Sequence, residues 1–583
     1  MSGRISNNKG RRIGRRAFLG TVPAAVAAGV AAPAMAGQVG QQQTASRLSK
    51  DALEGSEKLL GLDFNDAEDE MILRSASRNL DSYDALRKLE VPLDTEPAVT
   101  FRPYLPGRRP PAAGPRARTL KVAAAAVRVS VVLEDLAFQP VTALAGLIRR
   151  REITSLDLTR MYLARLDKHG PALQCVVTLT RDLALAQAAR ADQDLKAGRY
   201  HGQLHGIPWG AKDLFATRGI RTTWGAKPFE NQTIDVDATV VERLRDAGAV
   251  LVAKLSMGSL AQGGVWFGGS TKNPWNPERS SSGSSAGPAA ATAAGLVGFA
   301  IGTETLGSII SPSSTCGVVG LRPTYGRISR YGAMALSWTM DKVGPIGRTV
   351  EDCAIAFNAI YGADGRDETV VDAPFAWNPD LPLSKLKIGY LEGDFENVVP
   401  PAGANEEARK RFEARAALMK DALATFRRIG ATLVPVRLPD FPSQAIRFIL
   451  SAEAAAAFDD LTRSRGIDQL TEQGPGDWPN TFRSSRFIPA VEYLRAQRAR
   501  TLLMRKYEEL MSTCDVFLSA TGGASLTATN LTGHPALCLK AGFVEKMPAA
   551  LMITGRLYDE ASVLRAALAY ERATPWAGMH PQV

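Results

Sequence analysis

The sequence SSSGSSAGP at residues 280–288 leads into the alanine-rich run AAATAAG at 289–295. So many serines beside glycine are typical of either a flexible linker or a serine nucleophile site. A linker would be polar throughout, whereas apolar runs at 296–301 and 317–321 interrupt this region and must be buried. Glycine in buried backbone indicates close approach or unusual dihedral angles. The stretch therefore predicts a site built largely from backbone.

Outside this region, predicted helices and strands alternate, which is typical of an α/β sheet covered by helices. With 583 residues, 45% hydrophobic and 22% charged, the chain has ordinary globular composition and room for one large domain with additions. We expect Gly170 to cap the helix that begins at 155. The predicted strands lie at 175–180, 249–255, 387–392, 432–438, 515–520 and 550–555, and the predicted helices at 155–170, 237–248, 405–430 and 559–573.

The N-terminus has the parts of an export signal. RRIGRRAFLG at 11–20 is followed by an alanine-rich apolar stretch, and the A-M-A at 34–36 fits a cleavage site. The twin arginine is typical of a Tat signal, so we expect a periplasmic or secreted protein that uses the Tat export machinery. The alternative is a disordered basic tail.

Charge and cysteines exclude several classes of protein. Removing the six Lys and Arg of residues 1–36 from the net charge of +11 leaves +5, which gives no reason to expect nucleic-acid binding. The five cysteines fit neither a disulfide framework nor a zinc site. After the N-terminus, no uncharged apolar run is long enough to predict a membrane span.

One chemistry for the serines is a nucleophile elbow. GSSAG at 283–287 fits G-x-S-x-G with Ser285 at its centre. That motif needs a preceding strand and a histidine base. The preceding NPWNPERSS at 273–281 holds two prolines, which argues against a sheet strand, and no histidine lies within 70 residues on either side. A conventional esterase using Ser285 is therefore the weaker interpretation.

A second chemistry uses a lysine as base. A buried lysine can be neutral near pH 7 because desolvation lowers its pKa. HGIPWGAKDLF at 205–215 places Lys212 in an otherwise apolar stretch, which indicates a side chain projecting from a strand end into the interior. The alternative is a surface lysine paired with Asp213, which composition alone favours.

Three segments together resemble the amidase signature family: HGIPWGAKD at 205–213, SSGSSAGPAAATAAG at 281–295 and GTETLGSIISPSSTCGVVGLRPTYGRIS at 302–329. The resemblance extends over roughly residues 136–575. It implies an α/β fold with a mixed central β-sheet covered on both faces by helices. With it, we expect a Tat-type signal peptide at 1–36, an N-terminal helical extension and Pro/Arg-rich linker at 37–135, and a catalytic domain at 136–583.

The resemblance also implies a Ser–cis-Ser–Lys triad. The matching motifs place the nucleophile at Ser308, the bridging serine after a cis peptide bond at Ser284, and the base at Lys212. No metal or organic cofactor is implied. The backbone N–H groups implied for the oxyanion hole are those of Thr305, Leu306, Gly307 and Ser308, with Ser285 and Glu304 in support.

The chain departs from the family motif G-T-D-x-G-G-S-I-R, because it has GTETLGSII at 302–310. Glu304 replaces Asp, and Ile310 replaces an arginine that could support it, so Glu304 must find another partner. Leu306 replaces a glycine and would be strained if that position required a positive φ. Since the triad is complete, we expect an active enzyme with an altered pocket; the alternative is a weakened relative that acts as a binding protein.

The expected function is hydrolysis of linear carboxylic amides to carboxylate and ammonia or amine by an exported enzyme that resembles the glutaminase chain of tRNA-dependent amidotransferases. The alternative is that the protein is itself such a glutaminase chain, against which the Tat signal argues. The substrate would be a small amide chosen by loops within 393–512, and a homodimer is left open. Aromatic residues there are expected in the core rather than in a pocket: Phe441, Phe448, Trp478, Phe482 and Tyr493.

Overall fold

The computed structural model of the chain describes residues 48–62, 64–86, 88, 99–105, 108, 118–122, 132–396, 398, 400 and 403–583. The export signal predicted at 1–36 lies outside these residues. The chain divides into two compact units between residues 89 and 90. In the first unit, two helices are described, α1 (Lys50–Leu60) and α2 (Asp66–Leu86).

The second unit contains a mixed sheet of eleven strands and a series of helices. Its strands are β1 (Arg118–Leu120), β2 (Val176–Leu179), β3 (Pro208–Lys212), β4 (Val250–Leu255), β5 (Val265–Trp266), β6 (Gly269–Ser270), β7 (Lys272–Asn273), β8 (Asn276–Ser280), β9 (Phe299–Glu304), β10 (Val319–Arg322), β11 (Lys342–Gly347), β12 (Phe375–Trp377), β13 (Lys387–Leu391), β14 (Thr432–Val436), β15 (Val516–Ala520), β16 (Ala536–Val544) and β17 (Met547–Gly555). Its helices are α3 (Val141–Arg149), α4 (Ser155–Leu173), α5 (Arg181–Lys196), α6 (Thr239–Asp246), α7 (Ala286–Ala293), α8 (Ile310–Cys316), α9 (Val350–Ile360), α10 (Glu392–Phe395), α11 (Glu406–Arg428), α12 (Phe448–Ala457), α13 (Asp459–Arg463), α14 (Trp478–Ser485), α15 (Ala490–Ser512), α16 (Gly523–Thr532) and α17 (Glu560–Arg572).

The strand order of the large sheet is β14-β13-β15-β17-β16-β10-β11-β9-β3-β4-β2. Strand β3 is parallel to both β4 and β9, whereas β9, β11, β10 and β16 pair antiparallel. This arrangement brings the end of β3, which carries Lys212, beside the end of β9, which leads into the segment 305–310. The mixed α/β fold predicted from the sequence is therefore confirmed.

Both faces of the sheet are buried by helices. Along β9, Phe299 and Ile301 belong to one hydrophobic cluster and Ala300 to another, because successive side chains of a strand point to opposite faces. Helices α9 and α17 contribute to the first cluster and α7 to the second. Within the described residues, no helix has the length and apolarity that crossing a membrane requires.

Glycines allow the closest contacts near the site. A Cβ on Gly302 of β9 would lie 2.6 Å from the Ser285 hydroxyl oxygen, and a Cβ on Gly287 of α7 would lie 2.5 Å from the Ser256 nitrogen. Neither approach could accommodate a side chain. This agrees with the prediction that glycine in this region marks close approach of buried backbone.

Two local predictions were wrong. The helix that begins at 155 does not end at Gly170 but continues through Pro171 to Leu173, where Gln174 adopts the left-handed conformation of the cap. The segment 273–281 was expected to form no sheet strand, yet Asn276–Ser280 pairs with Lys272–Asn273 in a two-stranded ribbon. The ribbon lies outside the large sheet, where an edge strand tolerates proline.

Candidate active site

Lys212 is the last residue of β3, and its side chain is completely buried. Its Nζ donates hydrogen bonds to Ser284 Oγ at 2.8 Å and to Thr303 Oγ1 at 2.9 Å. Burial lowers the pKa of Lys212 to about 7, although the charges of Asp341 and Glu304 act in the opposite direction. A large fraction of this amine is therefore neutral at neutral pH and able to accept a proton.

Ser284 follows a cis peptide bond with Gly283 and precedes Ser285, the N-cap residue of helix α7. Its neighbour Ser285 has a different environment. The Ser285 hydroxyl donates to the Thr303 carbonyl at 3.0 Å and accepts from the Thr303 N–H at 3.2 Å, and its own N–H donates to the Ser308 carbonyl at 3.1 Å. Ser285 thus connects the segment 283–285 to Thr303 of β9 and to the backbone of Ser308.

Ser284 and Ser308 line the same open cleft of about 450 Å³. Thr305 and Leu306 form part of its wall. Among the described residues, the N–H groups of 305–308 donate to no other group of the chain. The cleft therefore brings together a serine bonded to a buried lysine, a second serine, and backbone donors that are free to bind an anionic oxygen.

Glu304 holds the segment that carries these donors. Its Oε2 accepts the N–H groups of Ile309 and Ile310, each at 2.8 Å. Its Oε1 lies 2.8 Å from Arg322 Nη1 and accepts from Asn530 Nδ2, also at 2.8 Å. Burial would raise the pKa of Glu304, but the Arg322 charge and these hydrogen bonds lower it overall, so the group is a carboxylate.

Two residues that depart from the family motif, Leu306 and Ile310, have different structural surroundings. The positive φ of the loop falls on Gly307, at 103°, and not on Leu306, so leucine fits there without backbone strain. Leu306 is half-buried and lines the cleft. Ile310 is fully buried in an apolar cluster with Ala536, Cys538 and Met552. The replacement at 306 therefore alters the cleft wall, whereas the replacement at 310 belongs to the core.

A second carboxylate, the half-buried Asp341, holds the other side of the loop. Asp341 accepts the Thr305 hydroxyl at 2.6 Å and the N–H groups of Leu336 and Ser337 at 2.8 and 2.9 Å. Burial raises the pKa of Asp341, and these hydrogen bonds oppose that rise. Together with Glu304, Asp341 fixes both ends of the 305–310 segment.

Sequence reasoning did not single out four of these residues: Thr303, Arg322, Asp341 and Asn530. Thr303 and Arg322 stand inside the quoted segment 302–329. Asp341 precedes the buried strand β11, and a carboxylate at such a position was a usable signal. Asn530 reaches Glu304 from helix α16, 226 positions away, so nothing near Glu304 in the sequence pointed to it.

Two alternative interpretations of the sequence do not fit this geometry. Asp213 pairs with Lys254, at 3.1 Å between buried groups, so Lys212 is not a surface lysine paired with Asp213. Ser285 is buried and engaged with Thr303, which is not the exposed serine of a nucleophile elbow. The downstream His534 is also buried, and burial lowers its pKa to about 3.

The region 393–512 contributes one wall of the cleft. Phe448 and Trp478 line it, together with Arg447, contrary to the expectation that these aromatic rings lie only in the core. Phe482 is fully buried, as expected. Phe441 and Tyr493 pack against a hydrophobic cluster, also as expected.

No group of three or more His, Cys, Asp or Glu side chains is placed to hold a metal ion in the part of the chain that the structure describes. All five cysteines are buried and unbridged, and they pack as small apolar side chains do.

The chain is similar in sequence and in structure to known proteins. Residues 157–529 match the Amidase family. A chain of the glutamyl-tRNA(Gln) amidotransferase from Roseiflexus sp. is 36% identical over 478 residues, 75% of this chain and 96% of that protein. The corresponding chain from Methylococcus capsulatus is 35% identical over 483 residues, 74% of this chain and 96% of that protein. The native peptide amidase of Stenotrophomonas maltophilia superposes with a TM-score of 0.65 at 29% identity, covering 76% of this chain and 98% of that one. The chain belongs to the amidase signature family, whose members hydrolyse carbon–nitrogen bonds.

Proposed function

We propose that this protein hydrolyses linear carboxylic amides through an acyl-enzyme on Ser308, with Ser284 as proton relay and Lys212 as base. The observation that carries the proposal is the buried Lys212 amine, 2.8 Å from Ser284 and with a pKa of about 7. A base with a pKa close to the working pH can both accept and return a proton.

In the first half of the reaction, the Ser308 hydroxyl oxygen attacks the amide carbonyl carbon. Its proton passes to Ser284 while the proton of Ser284 passes to neutral Lys212. The carbonyl oxygen becomes an oxyanion that accepts hydrogen bonds from the backbone N–H groups of 305–308. Such preorganised donors stabilise the charge that develops in the transition state.

In the second half, the carbon–nitrogen bond breaks as the proton on Lys212 returns through Ser284 to the departing nitrogen. Ammonia or amine leaves, and the acyl group remains as an ester of Ser308. Water then attacks this ester and gives up a proton along the same route. The proton finally returns to the Ser308 oxygen as the carboxylic acid departs.

The proposal is tested with a panel of aliphatic, aryl and peptide amides, by following the release of ammonia or amine. We expect Lys212→Ala, Ser284→Ala and Ser308→Ala each to lose activity, the last by about 10⁴-fold or more. Ser311→Ala is the matched control, because Ser311 lies on helix α8 and lines a different cavity. This variant should retain activity. Full activity in Ser308→Ala would refute the proposal.

A glutaminase chain of an amidotransferase is the second candidate, favoured by the 36% identity to the Roseiflexus protein. It predicts that glutamine is preferred over every other amide and that partner chains are needed for transfer.

The proposed Tat-dependent export favours an independent amidase. Export is tested by replacing both Arg15 and Arg16 with lysine, which should retain the protein in the cytoplasm; unchanged export would reject the Tat assignment.

A further inference from the structure

A second cavity adjoins the cleft that contains Ser284 and Ser308. The two cavities share Ala261, Thr305 and Leu336 as wall residues, so they are neighbours. The second cavity has a volume of about 60 Å³. We call it the apolar pocket, because apolar atoms form more of its surface than polar atoms do; the aliphatic side chains that line it include Leu214, Ala333, Met334, Ala335, Leu336 and Val343.

The apolar pocket also touches Thr303, whose hydroxyl holds Lys212. The pocket thus lies against the residues that position the candidate base and against Thr305 of the candidate oxyanion segment. A group covalently attached to an amide bond over Ser308 would be able to enter it. This adjacency is what makes the pocket relevant to the substrate.

The charged side chains that line the apolar pocket are already occupied. A charged substituent would lose its water and would have to compete with these existing partners for a hydrogen bond or a counter-charge, which is costly. An uncharged apolar substituent carries no such cost and gains from leaving water. The existing partners are Asp367 for Arg330 at 2.9 Å, Glu242 for Arg366, Thr305 for Asp341 at 2.6 Å, and the Met340 carbonyl for Lys342.

We infer that the apolar pocket binds a compact, uncharged, apolar substituent of the amide substrate. The inference rests on the proposed function, since it assigns one side of the amide to this pocket. Its volume limits the substituent to a few carbon atoms. The substituent is carried either by the carbonyl carbon or by the nitrogen, and the two positions require separate substrate series.

The test compares primary amides with increasingly long acyl chains, and acetamides with increasingly long N-alkyl chains. In one of the two series, kcat/KM should rise by about 10-fold or more per added carbon and then fall once the pocket is full. Amides that carry a carboxylate in place of the alkyl group should be poor substrates. A charged substituent that is preferred over every alkyl group would overturn the inference.

Two variants move the optimum in opposite directions. Ala335→Leu fills the pocket, and it should lower kcat/KM for the best-fitting substituent by at least about 10-fold more than for acetamide. Met334→Ala enlarges the pocket and should move the optimum to a longer chain. Ala414→Leu makes the same change as the first variant on the exposed side of α11 and should leave the profile unchanged. Profiles of Ala335→Leu and Met334→Ala that match wild type would reject the pocket.

A binding measurement separates this inference from the proposed function. The same amides are titrated by calorimetry into Ser308→Ala, with and without Ala335→Leu, so that affinity is obtained without turnover. Selective weakening by Ala335→Leu supports the pocket even if the wild type hydrolyses none of the amides, and equal affinity rejects it. Turnover that persists in Ser308→Ala rejects the proposed function alone.

Discussion

Glu304 and Arg322 form a fully buried ion pair, with Oε1 2.8 Å from Nη1. The family motif places an arginine six residues after its acid, where this chain has Ile310 in an apolar cluster. Arg322 supplies the positive charge from β10 instead. The second oxygen of Glu304 therefore remains available for the backbone of Ile309 and Ile310.

Replacing Arg322 with methionine should lower the free energy of unfolding by roughly 3–5 kcal/mol, because it leaves Glu304 charged and buried without its partner. Urea denaturation measures this change. The matched control is Arg411→Met, which breaks a solvent-exposed pair with Glu545 at 2.7 Å and should cost about 0–1 kcal/mol. Equal losses in the two variants would show that the buried pair has no special role.

The buried Lys212 predicts the pH dependence of the reaction. Below its pKa of about 7 the amine is protonated and cannot accept a proton, so kcat/KM should rise with pH through about 7 and then level off. Measurements on one uncharged amide, whose own ionisation cannot interfere, would follow this limb. A limb near pH 10.4, about the value of an ordinary lysine, would contradict the assignment.

Asp341 should influence the reaction in two ways that a pair of variants can separate. Asp341→Asn removes a negative charge that raises the pKa of Lys212, so the acid limb of the pH profile should move to lower pH. Thr305→Val breaks the 2.6 Å hydrogen bond but keeps the charge, and it should lower kcat by up to about 100-fold without moving the limb. Thr305→Ser, which keeps the hydroxyl, should restore most of the rate. If the acid limb of the pH profile lay at the same pH in Asp341→Asn and in wild type, the proposed effect of the Asp341 charge on the pKa of Lys212 would be rejected.

The two departures from the family motif should respond differently to restoration. Ile310→Arg places a charge among Ala536, Cys538 and Met552, and it should destabilise the fold by more than about 4 kcal/mol. Leu306→Gly changes the half-buried wall of the cleft and should mainly alter KM and substrate preference. Thermal unfolding and kinetics on both variants distinguish these outcomes; a stable Ile310→Arg protein would show that Arg is tolerated at this site.

The sequence predicted the elements whose patterns are regular. The runs at 249–255 and 515–520 became strands β4 and β15, and the charged pattern at 405–430 became helix α11. Strand β11 was not predicted, because KVGPIG contains both glycine and proline, which usually mark turns. Pairing with β10 and β9 stabilises this segment as a strand, and local sequence propensity does not include that pairing.

The candidate site was predictable to the extent that motifs carry it. The resemblance pointed to Lys212, Ser284 and Ser308, and the need for a replacement partner of Glu304 followed from the missing arginine. The identity of that partner did not, because Arg322 on β10 reaches Glu304 on β9 across the one strand between them, β11. Pairing between distant segments is set by tertiary packing, which a single sequence does not reveal.

Burial lowers the pKa of Lys212, so water that reached this amine would raise its pKa and inhibit the reaction. A substitution that let water reach the amine would return it toward its protonated form. Such a substitution would silence the chemistry at neutral pH while every reacting atom stayed in place. The hydrophobic interior around Lys212 therefore contributes to catalysis as well as to the stability of the fold.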